Sequence, residues 1–301
     1  MKLLAVVLGA QGQLGDTMTA QLGARHEVVA YARANLDVTA ADDVRAAISS
    51  LCPDVIINCA AYTHVDAAED RPIDALNVNA WAVRTMAELA ASLDALLVHF
   101  STDFVFEGDI DRPLTEEDPA NPQGVYAASK LLGEWLAAEA PRHYVLRVES
   151  LFGGLRAASS VDRMLDAIRS GAEVRAFADR TVSPSYVEDV VSATDALITT
   201  AHPYGLYHCV NSGCTTWSGV ARELARLAGR PDARITDVQT ADVPLRAPRP
   251  RFAALSNAKL AAAGIAMPSW QDALARYVAE RAPAVTPPPA PPPSRRSPGR
   301  R

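Results

Sequence analysis

The sequence predicts an α/β protein built on a doubly wound, mostly parallel sheet, with a smaller C-terminal lid, and three observations predict it. Short apolar runs recur through the first half, Ala-rich stretches long enough for helices separate them, and a glycine cluster follows the first run directly. Strands buried on both faces read as continuous apolar runs, and right-handed crossovers lay the intervening helices over both sides of such a sheet.

Residues 3–8 form the first expected strand, and "GAQGQLG" leads from it into a helix running through Gly23. "HEVVAYA", "DVIINCA", "ALLVHFS" and "YVLRVESL" repeat the strand character. After Gly153 the pattern changes. A helix near 159–169, a short strand "EVRAF", a helix beginning near "SYVEDVV", the strand "LYHCVNS" and a helix near 217–227 are expected. Beyond Arg281 the sequence "APAVTPPPAPPPSRRSPGR" has few groups able to build a core, so 282–301 is expected to be a Pro-rich disordered tail.

A chain of 301 residues, 49% of them hydrophobic, is long enough for one large core or two unequal domains. Its formal charge of -6 argues against a nucleic-acid surface. The apolar runs are too short to span a membrane, and "MKLLAVV" lacks the organisation of a secretory leader, so a cytoplasmic protein is expected. Cys52, Cys59, Cys209 and Cys214 lack zinc-site or disulfide-framework spacing. His208 lies close to two of them, but no fourth ligand accompanies the group, and no metal is expected.

The glycine cluster points to an anion cradle of the Rossmann type. Gly9 permits a tight turn, Gly12 lets backbone amides approach a pyrophosphate, and Gly15 allows the helix to pack closely on the strand. Gln11, Gln13 and Leu14 complete this loop, making residues 1–153 mainly a dinucleotide-binding domain. Residues 154–281 are then mainly a substrate-binding region that returns some elements to the main sheet. The second strand ends near Arg33 without the acidic residue that commonly holds an adenosine ribose in NAD sites. Arg33 can meet a 2'-phosphate, which tilts the cofactor toward NADPH and leaves NADH open. Asp37 and Val38 fall at the edge of the adenine site, while Ala60, Ala61 and Thr63 follow strand three, where the cofactor passes.

Strand four ends in "HFSTDFVFEG", and the carboxyl ends of strands in such a fold face the crevice. Thr102 and Ser101 are the candidate hydroxyls for orienting a substrate carbonyl, and the resemblance given below favours Thr102. In "VYAASKLLGE", Tyr126 and Lys130 share a helix face, roughly 6 Å apart along the axis. Tyr126 can protonate the carbonyl oxygen as hydride arrives. Lys130 can stabilise the resulting phenolate and hold the nicotinamide ribose. Asp103 and Glu107 are each either a substrate contact or a solvated turn carboxylate.

With "GAQGQLG", "LDVT", "PDVIINCAAYTHVDAAE", "NVNA", "STDFVFEG" and "YAASKLLGE", the sequence resembles the dTDP-4-dehydrorhamnose reductase family of the extended short-chain dehydrogenase/reductases. "VSPSYVEDV", "GLYHCVNSG", "LSNAKLAAAGI" and "MPSWQDAL" continue the likeness to about residue 280. The resemblance implies reduction of the 4-keto group of dTDP-4-dehydro-beta-L-rhamnose by NADPH or NADH, through Thr102, Tyr126 and Lys130. It also implies that Asp103 and Val105 meet the sugar, that Arg249 contacts the nucleotide diphosphate, and that the thymidine diphosphate lies under the lid. A dTDP-4-keto-6-deoxyhexose is the expected partner. A homodimer is left open.

One departure bears on the sugar. Where the family has Arg-Thr-Ser-Trp or a close variant after strand five, this chain has "RVES". Ser150 removes an apolar wall and Glu149 adds a potential hydroxyl or amine partner, which keeps other dTDP-4-keto-6-deoxyhexoses in play. A sugar-nucleotide epimerase or dehydratase retaining NAD, and a nonenzymatic regulatory subunit, are the readings from other classes.

Overall fold

The computed structural model describes residues 2–156, 159–200 and 202–281; the expected tail at 282–301 lies outside them. The first half alternates as expected. It runs β1 (Leu4–Leu8), α1 (Gln13–Gly23), β2 (Glu27–Tyr31), α2 (Ala41–Leu51), β3 (Val55–Asn58), α3 (Val65–Asp70) and α4 (Pro72–Leu76), then a π-helical turn at Asn77–Trp81. It continues through α5 (Ala82–Leu93), β4 (Leu96–Thr102), α6 (Val125–Ala137) and β5 (His143–Val148). The second half adds β6 (Leu151–Phe152), α7 (Ser160–Ser170), β7 (Val174–Phe177), β8 (Thr181–Val182), β9 (Ser185–Tyr186), α8 (Val187–Thr199) and β10 (Gly205–His208). β11 (Thr215–Thr216), α9 (Trp217–Leu227), β12 (Ile235–Val238), α10 (Ala258–Ala262) and α11 (Trp270–Glu280) follow.

Six parallel strands form the main sheet in the order β2–β1–β3–β4–β5–β10. Alternate side chains of a strand point to opposite faces, and both faces here are covered. Ala5, Val7, Ile57 and Val98 pack with Met18 of α1 and Val190 of α8. Val6, Leu8, Ile56 and Leu97 pack on the other side with Ile48 of α2 and Met86 of α5. The continuous apolar runs are therefore two half-cores read along one strand. Since α8 and β10 come from the second half, the main sheet is finished only after the chain has visited the lid.

The lid has its own core around Phe152, Leu165, Tyr186, Leu224, Trp270 and Tyr277. Its short strands pair as β7 with β12, β8 with β11, and β6 with β9. α7 begins with a capping box in which Ser159 and Asp162 satisfy one another's backbone amides. Among the described residues no helix is long and apolar enough to cross a membrane.

Candidate active site

The carboxyl ends of the parallel strands open onto a crevice made of connected cavities. Gly9 has φ +77°, and a Cβ there would stand 2.6 Å from the Ala60 backbone nitrogen, so this turn accepts only glycine at its close approach to β3. A Cβ on Gly15 would stand 2.3 Å from the Gly9 carbonyl oxygen. Gly15 thus seats α1 against the turn and lines no cavity, while Gly9, Gln11 and Gly12 line a space of about 470 Å³. Arg33, Asp37, Val38, Ala60, Ala61 and Thr63 line it too. The bare backbone at Gly12, the N-cap of α1, leaves the helix amides open to a pyrophosphate, so these residues fit a dinucleotide.

Arg33 is largely exposed and lies 3.5 Å from the Asp37 carboxylate. Asp37 is fixed by the Thr39 amide and hydroxyl, which hold its carboxyl below the usual range. Arg71 lines the same cavity and was not foreseen from the sequence.

A second cavity of about 550 Å³ shares Gly12, Cys59, Ala61 and Thr63 with the first and gathers Gln13, Leu14, Thr102, Asp103, Tyr126 and Lys130. The two hydroxyls at the end of β4 have separate employment. Ser101 donates to Glu134 at 2.5 Å, and Glu134 is also held by both arms of the buried Arg147 guanidinium at 2.8 and 2.7 Å. Thr102 donates to Asp103 at 2.9 Å and accepts from the Phe104 amide, and both hydroxyls line the cavity.

Tyr126 and Lys130 lie one helical turn apart and face the cavity together. Burial pushes the Tyr126 phenol up to about 12, with the Thr102 hydroxyl pulling the other way and the Asp103 charge adding to the rise. Burial pulls the Lys130 ammonium down to about 8, against the Glu134 charge. Lys130 donates to the Phe100 carbonyl. Tyr126 is held as a protonated donor.

Two residues expected at the sugar face elsewhere. Val105 ends a 3-10 turn over Asp103–Val105 and is fully buried among Phe106, Leu114, Leu131, Val210 and Leu255. Glu149 does not line the cavity. Its carboxylate accepts from the Ser183 amide at 2.8 Å behind the wall, where burial and then the Asp103 charge push its carboxyl well above the usual range. Ser150, at φ +48°, does line the cavity. Asp103 does line the cavity, and burial pushes its carboxyl up to about 7 against the pull of Thr102 and the Arg180 charge.

Arg249 reaches the cavity as expected, ion-paired with Asp66 at 2.8 Å and lying over the Phe104 ring. Arg180 and Trp217 line the same cavity and had not been singled out. Both also line a third cavity of about 340 Å³ in the lid, with Arg163, Met164, Arg175 and Phe177. Asn79 was also missed. It accepts from the Tyr62 amide and donates to the Tyr62 carbonyl and the Ser129 hydroxyl, tying the cofactor loop to α6. Its signal was "NVNA", a polar pair in an apolar helix.

Comparison with known proteins agrees with this arrangement. A family model described as the RmlD substrate binding domain matches residues 1–282. The chain is 36% identical over 281 residues to a dTDP-4-dehydrorhamnose reductase of Mycobacterium tuberculosis H37Rv, covering 91% of this chain and 92% of the other. It is 34% identical to a probable dTDP-4,6-dihydroxy-2-methyloxan-3-one 4-ketoreductase of Streptomyces antibioticus, covering 89% and 92%. Its fold superposes with a TM-score of 0.88 on a dTDP-4-dehydrorhamnose reductase of Bacillus anthracis crystallised with NADP, at 31% identity over 93% of this chain and 100% of the other.

Proposed function

Because the chain belongs to the dTDP-4-dehydrorhamnose reductase family, we propose that it reduces the 4-keto group of a dTDP-4-keto-6-deoxyhexose. The substrate is dTDP-4-dehydro-beta-L-rhamnose, the product is dTDP-L-rhamnose, and the reductant is NADPH or NADH. The observation that carries this reading is the meeting of Thr102, Tyr126 and Lys130 in one cavity, joined to the dinucleotide crevice on one side and the lid cavity on the other.

Bound nicotinamide supplies the hydride. Tyr126, protonated at neutral pH, gives its proton to the C4 oxygen of the sugar. Thr102 orients that oxygen with its hydroxyl, and Asp103 takes a sugar hydroxyl beside it. Lys130 holds the nicotinamide ribose. In the lid, Phe177 and Trp217 offer flat apolar faces to the base, and Arg180 and Arg249 answer the diphosphate charge. At the adenosine end Arg33 and Arg71 favour the 2'-phosphate of NADPH, while Asp37 is the group that serves the ribose hydroxyls of NADH.

A second reading, 4-ketoreduction of a different dTDP-4-keto-6-deoxyhexose, is favoured by the small Ser150 in the cavity wall and by the Streptomyces antibioticus relative. One experiment separates the two. The protein is given NADPH and a panel of dTDP-4-keto-6-deoxyhexoses, and cofactor oxidation and product stereochemistry are followed. Fastest turnover of dTDP-4-dehydro-beta-L-rhamnose to dTDP-L-rhamnose is expected. Faster turnover of another sugar selects the second reading, and no cofactor consumption with any of them overturns both.

A further inference from the structure

The first turn of α6 carries Tyr126, yet its N-cap residue is Gly124, which has no side chain to satisfy the free amides there. The acceptor comes from another element. Glu69, in α3, accepts a 2.8 Å hydrogen bond from the Val125 amide, next to Tyr126 in the chain. Gly124 sits in extended backbone, at φ -152° and ψ 170°, so any residue could adopt its conformation. The space a side chain would take is occupied by Glu69, whose Oε1 would lie 2.8 Å from a Cβ at position 124. Glycine and glutamate are thus a matched pair, one vacating the space the other fills.

The same helix also fastens the loop that carries Arg249. Asp66, one turn before Glu69, accepts from the Ala247 amide at 3.0 Å and pairs with Arg249. Arg249 lies over Phe104, and Phe104 packs edge-on against the Tyr126 ring with centroids 5.6 Å apart. α3 therefore touches Tyr126 along two routes, through the backbone at Val125 and through the Phe104 ring.

We infer that Glu69 is a positioning residue for the proton donor, supplying from α3 the cap that fixes the first turn of α6 and so the place of the Tyr126 hydroxyl. This deepens the ketoreductase reading and rests on it for its kinetic consequence. Misplacing a reacting group by about 1 Å can cost on the order of 100-fold in rate. Gly9, Gly12, Ala60 and Ala61, which line the dinucleotide cavity, lie outside this contact, so cofactor affinity is expected to change much less than kcat.

Four variants are compared with the wild type, using NADPH and dTDP-4-dehydro-beta-L-rhamnose for turnover, NADPH fluorescence for cofactor affinity, and amide hydrogen exchange of 125–128 without substrate. Glu69→Ala lowers kcat about 10- to 100-fold, leaves the NADPH Kd within about twofold, and speeds exchange at the first turn. Glu69→Gln, which keeps an acceptor oxygen, stays within about threefold of wild type. Gly124→Ser alone puts a side chain in the space of the Glu69 carboxylate and is the control for the double variant. Placed in the Glu69→Ala background, the same serine supplies the cap from its own chain and restores both kcat and exchange protection to within about threefold.

A Glu69→Ala protein with unchanged exchange and kcat overturns the inference, as does a loss that Gly124→Ser fails to restore. If the wild type turns over no 4-keto sugar, the ketoreductase reading falls, and the exchange measurements still decide whether Glu69 caps α6.

Discussion

The cofactor wall of the crevice is made of backbone and small side chains at neighbouring strand ends, whereas the sugar wall is assembled from side chains brought together from distant parts of the chain. Gly9, Gly12, Ala60 and Ala61 leave room, and a dinucleotide is met largely by main chain. Thr102, Tyr126, Ser150, Arg180, Trp217 and Arg249 converge from segments up to about half the sequence apart. The first wall tolerates little change in shape but carries little information about the substrate. The second can be rewritten one residue at a time without disturbing the hydride end.

Breaking the chemical end gives the largest effect. Tyr126→Phe removes the proton donor and is expected to lower kcat by about 10²- to 10⁴-fold while the NADPH Kd changes less than twofold, as read by steady-state kinetics and cofactor fluorescence. Equal loss of kcat and cofactor binding would merge the two walls into one. Arg180→Ala removes a charge shared by the lid cavity and the wall facing Asp103. Its KM for the sugar nucleotide should rise about tenfold or more, with a much smaller change in kcat. A pure kcat defect would place Arg180 with the chemistry.

The Asp103 carboxyl tests the buried charges behind the sugar wall. Burial gives it a folded value of about 7 against an ordinary 3.8, so the folded protein keeps a proton that the unfolded chain releases between those values. The associated stability is fully present below pH 3.8 and is lost as pH rises toward 7. Asp103→Asn is permanently uncharged and should melt higher than wild type at pH 8, by about 2–4 °C for a gain on the order of 1 kcal/mol, with no gain near pH 4. An equal gain at both pH values would point away from titration. The smallest effect is at Ser150. Ser150→Gly relieves a left-handed backbone conformation and should raise stability by about 0.5–1 kcal/mol in denaturant melts. A loss would mean that the Ser150 hydroxyl outweighs the strain.

How much of this could be read from the sequence follows the same division. The glycine turn and the Tyr126–Lys130 pair depend on spacing within one segment, and the six-stranded sheet depends on apolar runs that both faces need. All were legible. The hydrogen bond from Lys130 to the Phe100 carbonyl was not, because proximity on a helix does not say which way an ammonium turns. Glu149 and Ser150 are adjacent, and the sequence does not say which of them meets the cavity; Ser150 lines it and Glu149 turns to Ser183. In the tight turn over Asp103–Val105, Asp103 faces the cavity and Val105 the core, a distinction that residue type within the motif did not make. Arg180 and Trp217 acquire their place only when the lid closes its own small core.

The most direct test follows one deuteron. NADPH carrying deuterium on the transferable C4 position is incubated with the wild-type protein and dTDP-4-dehydro-beta-L-rhamnose, and the sugar product is examined by NMR and mass spectrometry. The account predicts one deuterium at C4 of the sugar and one cofactor oxidised per product formed. Product formed without deuterium at C4, or without net cofactor oxidation, would contradict it.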